Sequence, residues 1–219
     1  SDQSRADRRH SRDEVVRQAP LAAELALRDP QGTVLDQEGR ATATVGRRSS
    51  SGFALEVRGK QGHSSGIFSE RAGYGAVYEA ARILDGFRQQ VIEPDLTFNP
   101  GVILGGTQVG YDDTGSRGTA FGKTNVIANS VTVKGDLRYL DTVQRDRAHA
   151  KMRAIVAQNL PGTSASIAFD ESYPPMAVTP GNLKVLELYS QASNDAGLGA
   201  IAAVPAGLRG AGDIQFVAP

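Results

Sequence analysis

Residues 51–68 read SGFALEVRGKQGHSSGIF, and this stretch joins the two patterns that decide the fold. Phe53, Leu55 and Val57 alternate with polar or small residues, which is typical of a half-buried β-strand. The alternation stops at a glycine-rich loop, where a lone His63 stands among glycines and serines. Small neighbours let a backbone or a ligand approach closely and leave the imidazole nothing to pack against. His63 is therefore either a solvated loop residue or an exposed functional group.

The chain beyond this loop continues the same order of strands and helices. Apolar residues recur at spacings of three and four over 70–91 and again over 142–160, which predicts two amphipathic helices. Strands are predicted over 96–106, 125–141 and 164–173. The order β-α-β-β-α-β predicts a ferredoxin-like α+β unit, in which a four-stranded antiparallel sheet carries both helices on one face.

The segments on either side of this unit do not make domains by themselves. A helix over 182–196 and a short apolar strand follow it, and one helix with one or two strands leaves apolar faces uncovered. We therefore expect residues 46–175 to be an insert, with 1–45 and 176–219 as incomplete parts of a second domain. The predicted fold class of the whole chain is α/β.

Composition excludes several classes of protein and site. The chain has 219 residues, 24 Lys and Arg against 24 Asp and Glu, and no apolar run near the roughly 20 residues that cross a bilayer. Neither a nucleic-acid partner nor a membrane partner is expected. Because there is no cysteine, disulfides, thiolate metal sites and a cysteine nucleophile are excluded. The compartment stays open between cytoplasm and periplasm.

Three motifs carry a resemblance to a known family. GKQGHSS at 59–65, NVIANSVTVKGDLRY at 125–139 and RGAGD at 209–213 stand in register over most of the chain. The chain resembles the two-zinc carboxypeptidase/aminoacylase family of metallopeptidases, which includes glutamate carboxypeptidase, acetylornithine deacetylase and succinyl-diaminopimelate desuccinylase. In these enzymes a catalytic α/β domain holding two zinc ions is interrupted by a ferredoxin-like lid domain that usually dimerises. The resemblance thus implies a lid and a homodimer formed through it.

The resemblance implies roles for three lid residues. His63 matches the lid histidine that polarises the scissile carbonyl, typically in the partner subunit's active site, and Asn125 matches the asparagine that contacts substrate near that carbonyl. Arg138 matches the arginine that clamps a substrate carboxylate, although it is equally explained as a strand residue paired with Asp136 or Asp141. Where the family often has proline after NVI, this chain has alanine.

Further matches fall in the flanking segments. Asp29 aligns with an acidic metal ligand, while its residue pattern alone favours an Asp-Pro turn. Gly210 and Gly212, followed by Asp213, match a glycine-rich loop on the substrate side of the catalytic domain. Such loops are common, so the motif is weak by itself.

Most of the metal ligands that the resemblance calls for are missing. The family's Glu-Glu pair, which includes the general base, should stand within 2–5, where the sequence has no glutamate. His10 lies in a solvated charge run and His149 on an expected polar helix face, so neither replaces the missing ligands. We expect this polypeptide alone to bind no zinc and to hydrolyse nothing.

Two functions of different classes remain. The chain is either a portion of a metallo-exopeptidase that cleaves a peptide or N-acyl amide bond next to a free carboxylate, or a non-catalytic relative acting as a dimerisation or ligand-binding module. An RNA-binding unit of the same strand order fits poorly, because the strands lack interleaved aromatic residues and the net charge is zero.

Overall fold

The computed structural model describes residues 33–35 and 41–217. These residues form two compact units. The central unit is Arg48–Met176, and the other contains the described residues up to Arg47 together with those from Ala177 onward. In chain order the elements are β1 (Thr33–Leu35), β2 (Ala41–Thr44), β3 (Ser50–Gly59), α1 (Gly75–Gln90), β4 (Thr97–Gly106), β5 (Gln108–Asp112), β6 (Arg117–Phe121), β7 (Ser130–Arg138), α2 (Thr142–Val156), β8 (Thr163–Tyr173), α3 (Pro180–Asp195) and β9 (Ala202–Val204).

The central unit is built on a four-stranded sheet in the order β4-β7-β3-β8, with every neighbouring pair antiparallel. Helix α1 connects β3 to β4 across β7, and α2 connects β7 to β8 across β3. These are the two split β-α-β crossovers of a ferredoxin-like fold. The predicted four-stranded antiparallel sheet with two helices is confirmed.

Both helices pack on the same face of this sheet. Phe53 on β3 meets Phe87 on α1 edge to face, with ring centroids 6.1 Å apart. Gly135 on β7 lies directly beneath the Phe53 ring. A Cβ added at Gly135 would collide with this ring. The remaining core is apolar and alternates along the strands, with buried members that include Leu55, Val57, Ala80, Ile83, Val131, Val133, Leu137, Met152 and Ile155.

Some predicted boundaries were wrong. Helix α1 begins at Gly75 instead of residue 70, because residues 60–74 form a hydrogen-bonded loop around a 3-10 turn at Ser64–Gly66. Strand β7 begins at Ser130, so Asn125 lies in a turn before the strand and not at its start. Pro100 cannot donate to the ladder, and the register of β4 against β7 shifts just after it.

Two further features were not predicted. The hairpin β5–β6 is inserted between β4 and β7. His149 is buried instead of lying on a polar face, since its ring stacks on Phe169 of β8 at a centroid distance of 3.7 Å and meets Tyr139 edge to face. This face of α2 packs on the sheet, so the histidine is part of the interior.

The other unit contains a small sheet in the order β1-β2-β9, in which β1–β2 is antiparallel and β2–β9 is parallel. Helix α3 begins at the N-cap Thr179, whose hydroxyl accepts a hydrogen bond from Asn182 N–H. Asp29, with the Asp-Pro turn that its residue pattern favours, lies outside the described residues. No helix within the described part of the chain is long and apolar enough to cross a membrane.

Candidate functional site

Two tight turns lie side by side at one end of the central sheet. The first is the 3-10 turn that His63 caps, and the second is the turn from Lys123 to Val126. Ser64 N–H donates to Asn125 O at 2.9 Å, and Ile127 N–H donates to Gly62 O at 2.8 Å. The structure thus brings the predicted residues His63 and Asn125 together on backbones fixed to each other.

Both side chains of this pair are exposed to solvent. Their segments, 60–66 and 122–126, contain no Asp or Glu, whereas Lys60, His63 and Lys123 all lie within them. Hydrogen-bond donors without a carboxylate among them suit an oxygen that carries partial or full negative charge. Chemically, this end of the sheet is a donor-rich surface.

The imidazole of His63 is held by its own turn. Its Nδ1 accepts the Ser65 backbone N–H at 3.2 Å and lies 2.8 Å from Ser65 Oγ. Nε2 makes no hydrogen bond within the described residues. Ser65 was not among the predicted site residues, although a serine two positions after a lone histidine can donate a hydrogen bond to the ring.

The loop that follows carries a strained aromatic residue. Phe68 has φ +70°, a conformation that is rare for a bulky side chain, and its N–H donates to Gly73 O at 2.9 Å. The Phe68 ring contacts the rings of Tyr74 and Tyr78, with centroids 5.2 and 5.4 Å away. Hydrogen bonds and ring contacts therefore fix the loop between His63 and α1.

Arg138 lies at the opposite end of the sheet. It ends β7, whereas the His63 turn lies beyond the start of that strand, and eight residues of strand separate the two ends by roughly 26 Å. Arg138 Nε donates to Asp136 Oδ2 at 2.9 Å on a partly exposed surface. The structure therefore does not bring Arg138 together with His63 and Asn125 within one chain.

The two predicted glycines lie in the other unit. Gly210 O accepts a hydrogen bond from the buried Arg47 at 2.8 Å, and Gly212 N–H donates to Gln215 Oε1 at 2.6 Å. Gly212 caps a 3-10 turn at Asp213–Phe216. Both glycines thus take part in local backbone structure.

The described residues do not offer a metal centre. Among residues 33–35 and 41–217, no three His, Cys, Asp or Glu side chains lie close enough together to hold an ion. The one predicted ligand, Asp29, lies outside this part. Two zinc ions therefore do not fit the described side chains.

A cavity of about 500 Å³ lies on the helix-free face of the sheet, beneath the hairpin. Its lining includes the small residues Gly52, Ala54 and Ala168. Lys134 at its edge pairs with Asp113 at 2.9 Å and lies 5.2 Å from the centre of the Tyr111 ring. Lys134 therefore fastens the hairpin over this face.

Comparison with protein families identifies the central unit. The peptidase dimerisation domain of the M20 family matches residues 45–164, which is more than half of the chain. A search of curated proteins found no match.

Solved structures share the fold at low sequence identity. A tripeptidase from Staphylococcus aureus is 18% identical with a TM-score of 0.59, and the match covers 80% of this chain and 41% of that one. The aminopeptidase PepT from Bacillus cereus is 22% identical with a TM-score of 0.58, covering 80% and 42%. A hydantoinase/carbamoylase family amidase from Burkholderia ambifaria is 19% identical with a TM-score of 0.56, covering 86% and 43%. The chain thus spans about two fifths of the length of these structures.

Proposed function

Because the chain belongs to the M20 peptidase dimerisation-domain family, we propose that it supplies the lid of a metal-dependent hydrolase. The enzyme cleaves a peptide or N-acyl amide bond next to a free carboxylate, and works as a homodimer. The observation that carries this proposal is the exposed pair His63 and Asn125, held together on two fused turns at one end of the sheet. Peptidases and amidases among the structures of similar fold support it.

In this proposal residues 46–175 are the lid, and 1–45 and 176–219 belong to the catalytic domain. Asp29 is a metal ligand there, and Gly210 and Gly212 line the substrate side. Two zinc ions, if held there, would supply a metal-activated water. Most of their ligands lie on other parts of the enzyme, and this chain alone is inactive.

His63 stabilises the oxygen of the scissile carbonyl as it gains negative charge. A ring N–H on an exposed, backbone-fixed turn can approach that oxygen closely and needs little rearrangement when it does. The Asn125 side-chain amide, on the neighbouring turn, donates a second hydrogen bond near the same carbonyl. Together they form the oxyanion-stabilising part of the lid.

Arg138 binds the free carboxylate of the substrate. Its guanidinium is planar and matches a carboxylate with two parallel hydrogen bonds, for which it exchanges its present partner, Asp136. Because Arg138 lies roughly 26 Å from the His63 turn, the two ends of one lid serve different active sites. Each site thus receives His63 and Asn125 from one subunit and Arg138 from the other.

The edge strand β4 is the surface through which two lids pair. Ile103 on this strand and Val77 on α1 are 56% and 52% exposed. They belong to one surface, since a Cβ added at Gly105 would lie 3.6 Å from Val77 Cγ2. The other edge strand, β8, exposes mainly serines and acidic residues. An apolar edge strand with free backbone groups favours a second copy pairing into one continuous sheet.

Complementation in the full-length dimeric enzyme tests this arrangement. His63→Ala and Arg138→Ala subunits are each expected to be inactive as homodimers against N-acyl amino acids and dipeptides. A mixed dimer contains one site with both residues intact and one site with neither. Refolded or co-expressed mixtures should therefore recover activity, up to half the wild-type rate per mixed dimer. Lys151→Ala, a charge change at a partly exposed residue of α2, is the control, and its homodimer should remain active.

Mixed dimers with no activity above the homodimers would contradict the shared site. Wild-type activity in both variants would contradict a catalytic role for the lid altogether. Lack of activity in the wild-type full-length protein would favour the non-catalytic dimerisation or ligand-binding module.

A further inference from the structure

The hydrogen bonds to His63 Nδ1 restrict where the imidazole can carry its proton. The Ser65 backbone N–H points to Nδ1 at a distance of 3.2 Å. A backbone N–H only donates, so Nδ1 must present its lone pair to it. In the neutral ring the single proton then resides on Nε2.

The Ser65 hydroxyl strengthens the same arrangement. Its Oγ lies 2.8 Å from Nδ1, the shorter of the two contacts, and the hydroxyl hydrogen can rotate toward that lone pair. The neighbouring Ser64 makes no side-chain hydrogen bond within the described residues. One residue of the turn, Ser65, therefore provides both donors to the ring.

We propose that Ser65 is a positioning residue that fixes His63 in the Nε2–H form and directs this N–H away from the loop. The inference rests on the proposed function, because the N–H that remains is the one that would donate to the substrate carbonyl. If the proton moved to Nδ1, Nε2 would present a lone pair to the carbonyl oxygen and repel it. Ser65 acts through His63 and makes no substrate contact itself.

The tautomer can be measured on this chain without any catalysis. Nitrogen-15 NMR reports which ring nitrogen is protonated. A pH of 8.5 is suitable because it lies about two units above the model-peptide pKa of histidine, where an imidazole is neutral. We expect His63 of the wild type to be protonated on Nε2. In Ser65→Ala one of two neutral hydrogen bonds is lost, so the ratio of the Nε2–H to the Nδ1–H form should fall about fivefold.

Two matched variants separate positioning from a general effect on the turn. Ser64→Ala alters the adjacent serine without removing a bond to the ring, and its spectrum should equal that of the wild type. Ser65→Thr retains a hydroxyl and should restore the wild-type ratio. An Nδ1–H ring in the wild type, or an unchanged ratio in Ser65→Ala, would overturn the inference.

A kinetic measurement on the full-length enzyme links the tautomer to turnover. Ser65→Ala should lower kcat by up to about fivefold and leave KM within twofold, since the lost hydrogen bond orients the donating ring N–H for the transition state and does not take part in substrate binding. Wild-type kcat together with altered spectra would overturn the positioning role. Full activity of His63→Ala would instead overturn the proposed function, while the spectra alone decide the tautomer.

Discussion

At the scale of single residues, Glu79 is a buried acidic side chain of the lid that requires hydrogen-bond partners. It is fully buried on α1, where its carboxylate binds the Arg82 guanidinium through two hydrogen bonds of 2.7 and 3.1 Å. It also accepts the Leu160 N–H at 3.0 Å, and Arg82 in turn donates to Ile155 O. A buried carboxylate needs such partners, and here they join α1 to the end of α2 and the loop that follows it.

Glu79→Ala should therefore destabilise the lid by about 2–4 kcal/mol, because it leaves a guanidinium and a backbone N–H without their acceptor. Glu79→Gln keeps the shape and one acceptor, and should cost less. The control is Asp85→Ala on the same helix, where the pair with Arg88 is exposed and worth at most about 0.5 kcal/mol. Urea unfolding measures all three, and equal losses for Glu79→Ala and Asp85→Ala would contradict a stabilising role.

His149 makes the stability of the lid depend on pH. Burial lowers the pKa of His149, and the Arg153 and Arg145 guanidinium groups lower it further. Glu171 on β8 and Asp146 on α2 oppose this in part. Its Nε2 has no hydrogen-bond partner among the described residues, so a proton there would be poorly stabilised.

Because the pKa of His149 is lowered in the folded state, the lid should lose stability at acidic pH. Below the ordinary imidazole pKa of about 6.5, His149 binds a proton in the unfolded chain but stays neutral in the folded chain. Stability is therefore lost as the pH falls through that pKa. Between pH 7.5 and 5.5 the wild type should lose more free energy of unfolding than His149→Phe, which keeps a ring on Phe169 but does not titrate. Identical losses in the two proteins would contradict this prediction.

At the scale of elements, the sequence predicted those that bury one face. Strands β3 and β8 alternate apolar and polar residues along their length, and their predicted bounds agree with the structure within a few residues. The start of β7 was predicted too early, because Val126 and Ile127 continue the apolar pattern but pair with the His63 loop. The hairpin β5–β6 was not predicted, because every residue of β6 is exposed and its sequence shows no apolar alternation.

The hairpin should depend on Lys134 for its position. Lys134 on β7 pairs with Asp113 in the hairpin turn and lies near the Tyr111 ring, so Lys134→Met removes the charge contact while retaining an unbranched side chain. Backbone amides of 108–121 should then exchange hydrogen about fivefold faster, with little change in β3 or β8. Arg117→Met is the control, because its contact with Asp112 is long and exposed. Unchanged exchange in Lys134→Met would show that the hairpin is held by other contacts.

At the scale of the whole molecule, the site residues depend on topology more than on sequence distance. Asn125 lies 62 positions after His63 and only 13 before Arg138. In space the order is reversed, because the antiparallel partner strands bring the His63 loop to the start of β7 while β7 itself carries Arg138 away. Sequence motifs identified the three candidates, but only the strand order reveals that they fall into two groups.

The pairing of two lids gives the most direct test of the molecule as an assembly. At high concentration we expect light scattering to report twice the 23.1 kDa mass of the chain, and the double variant Val77→Asp, Ile103→Asp to report a single chain. Two carboxylates on this surface would be desolvated and placed against their symmetry mates, which opposes association. Ile92→Asp is the matched control, because Ile92 is just as exposed but lies beyond the end of α1. A wild type that remains monomeric would remove the basis for sharing His63 between subunits, and a double variant that still dimerises would place the contact elsewhere than on β4.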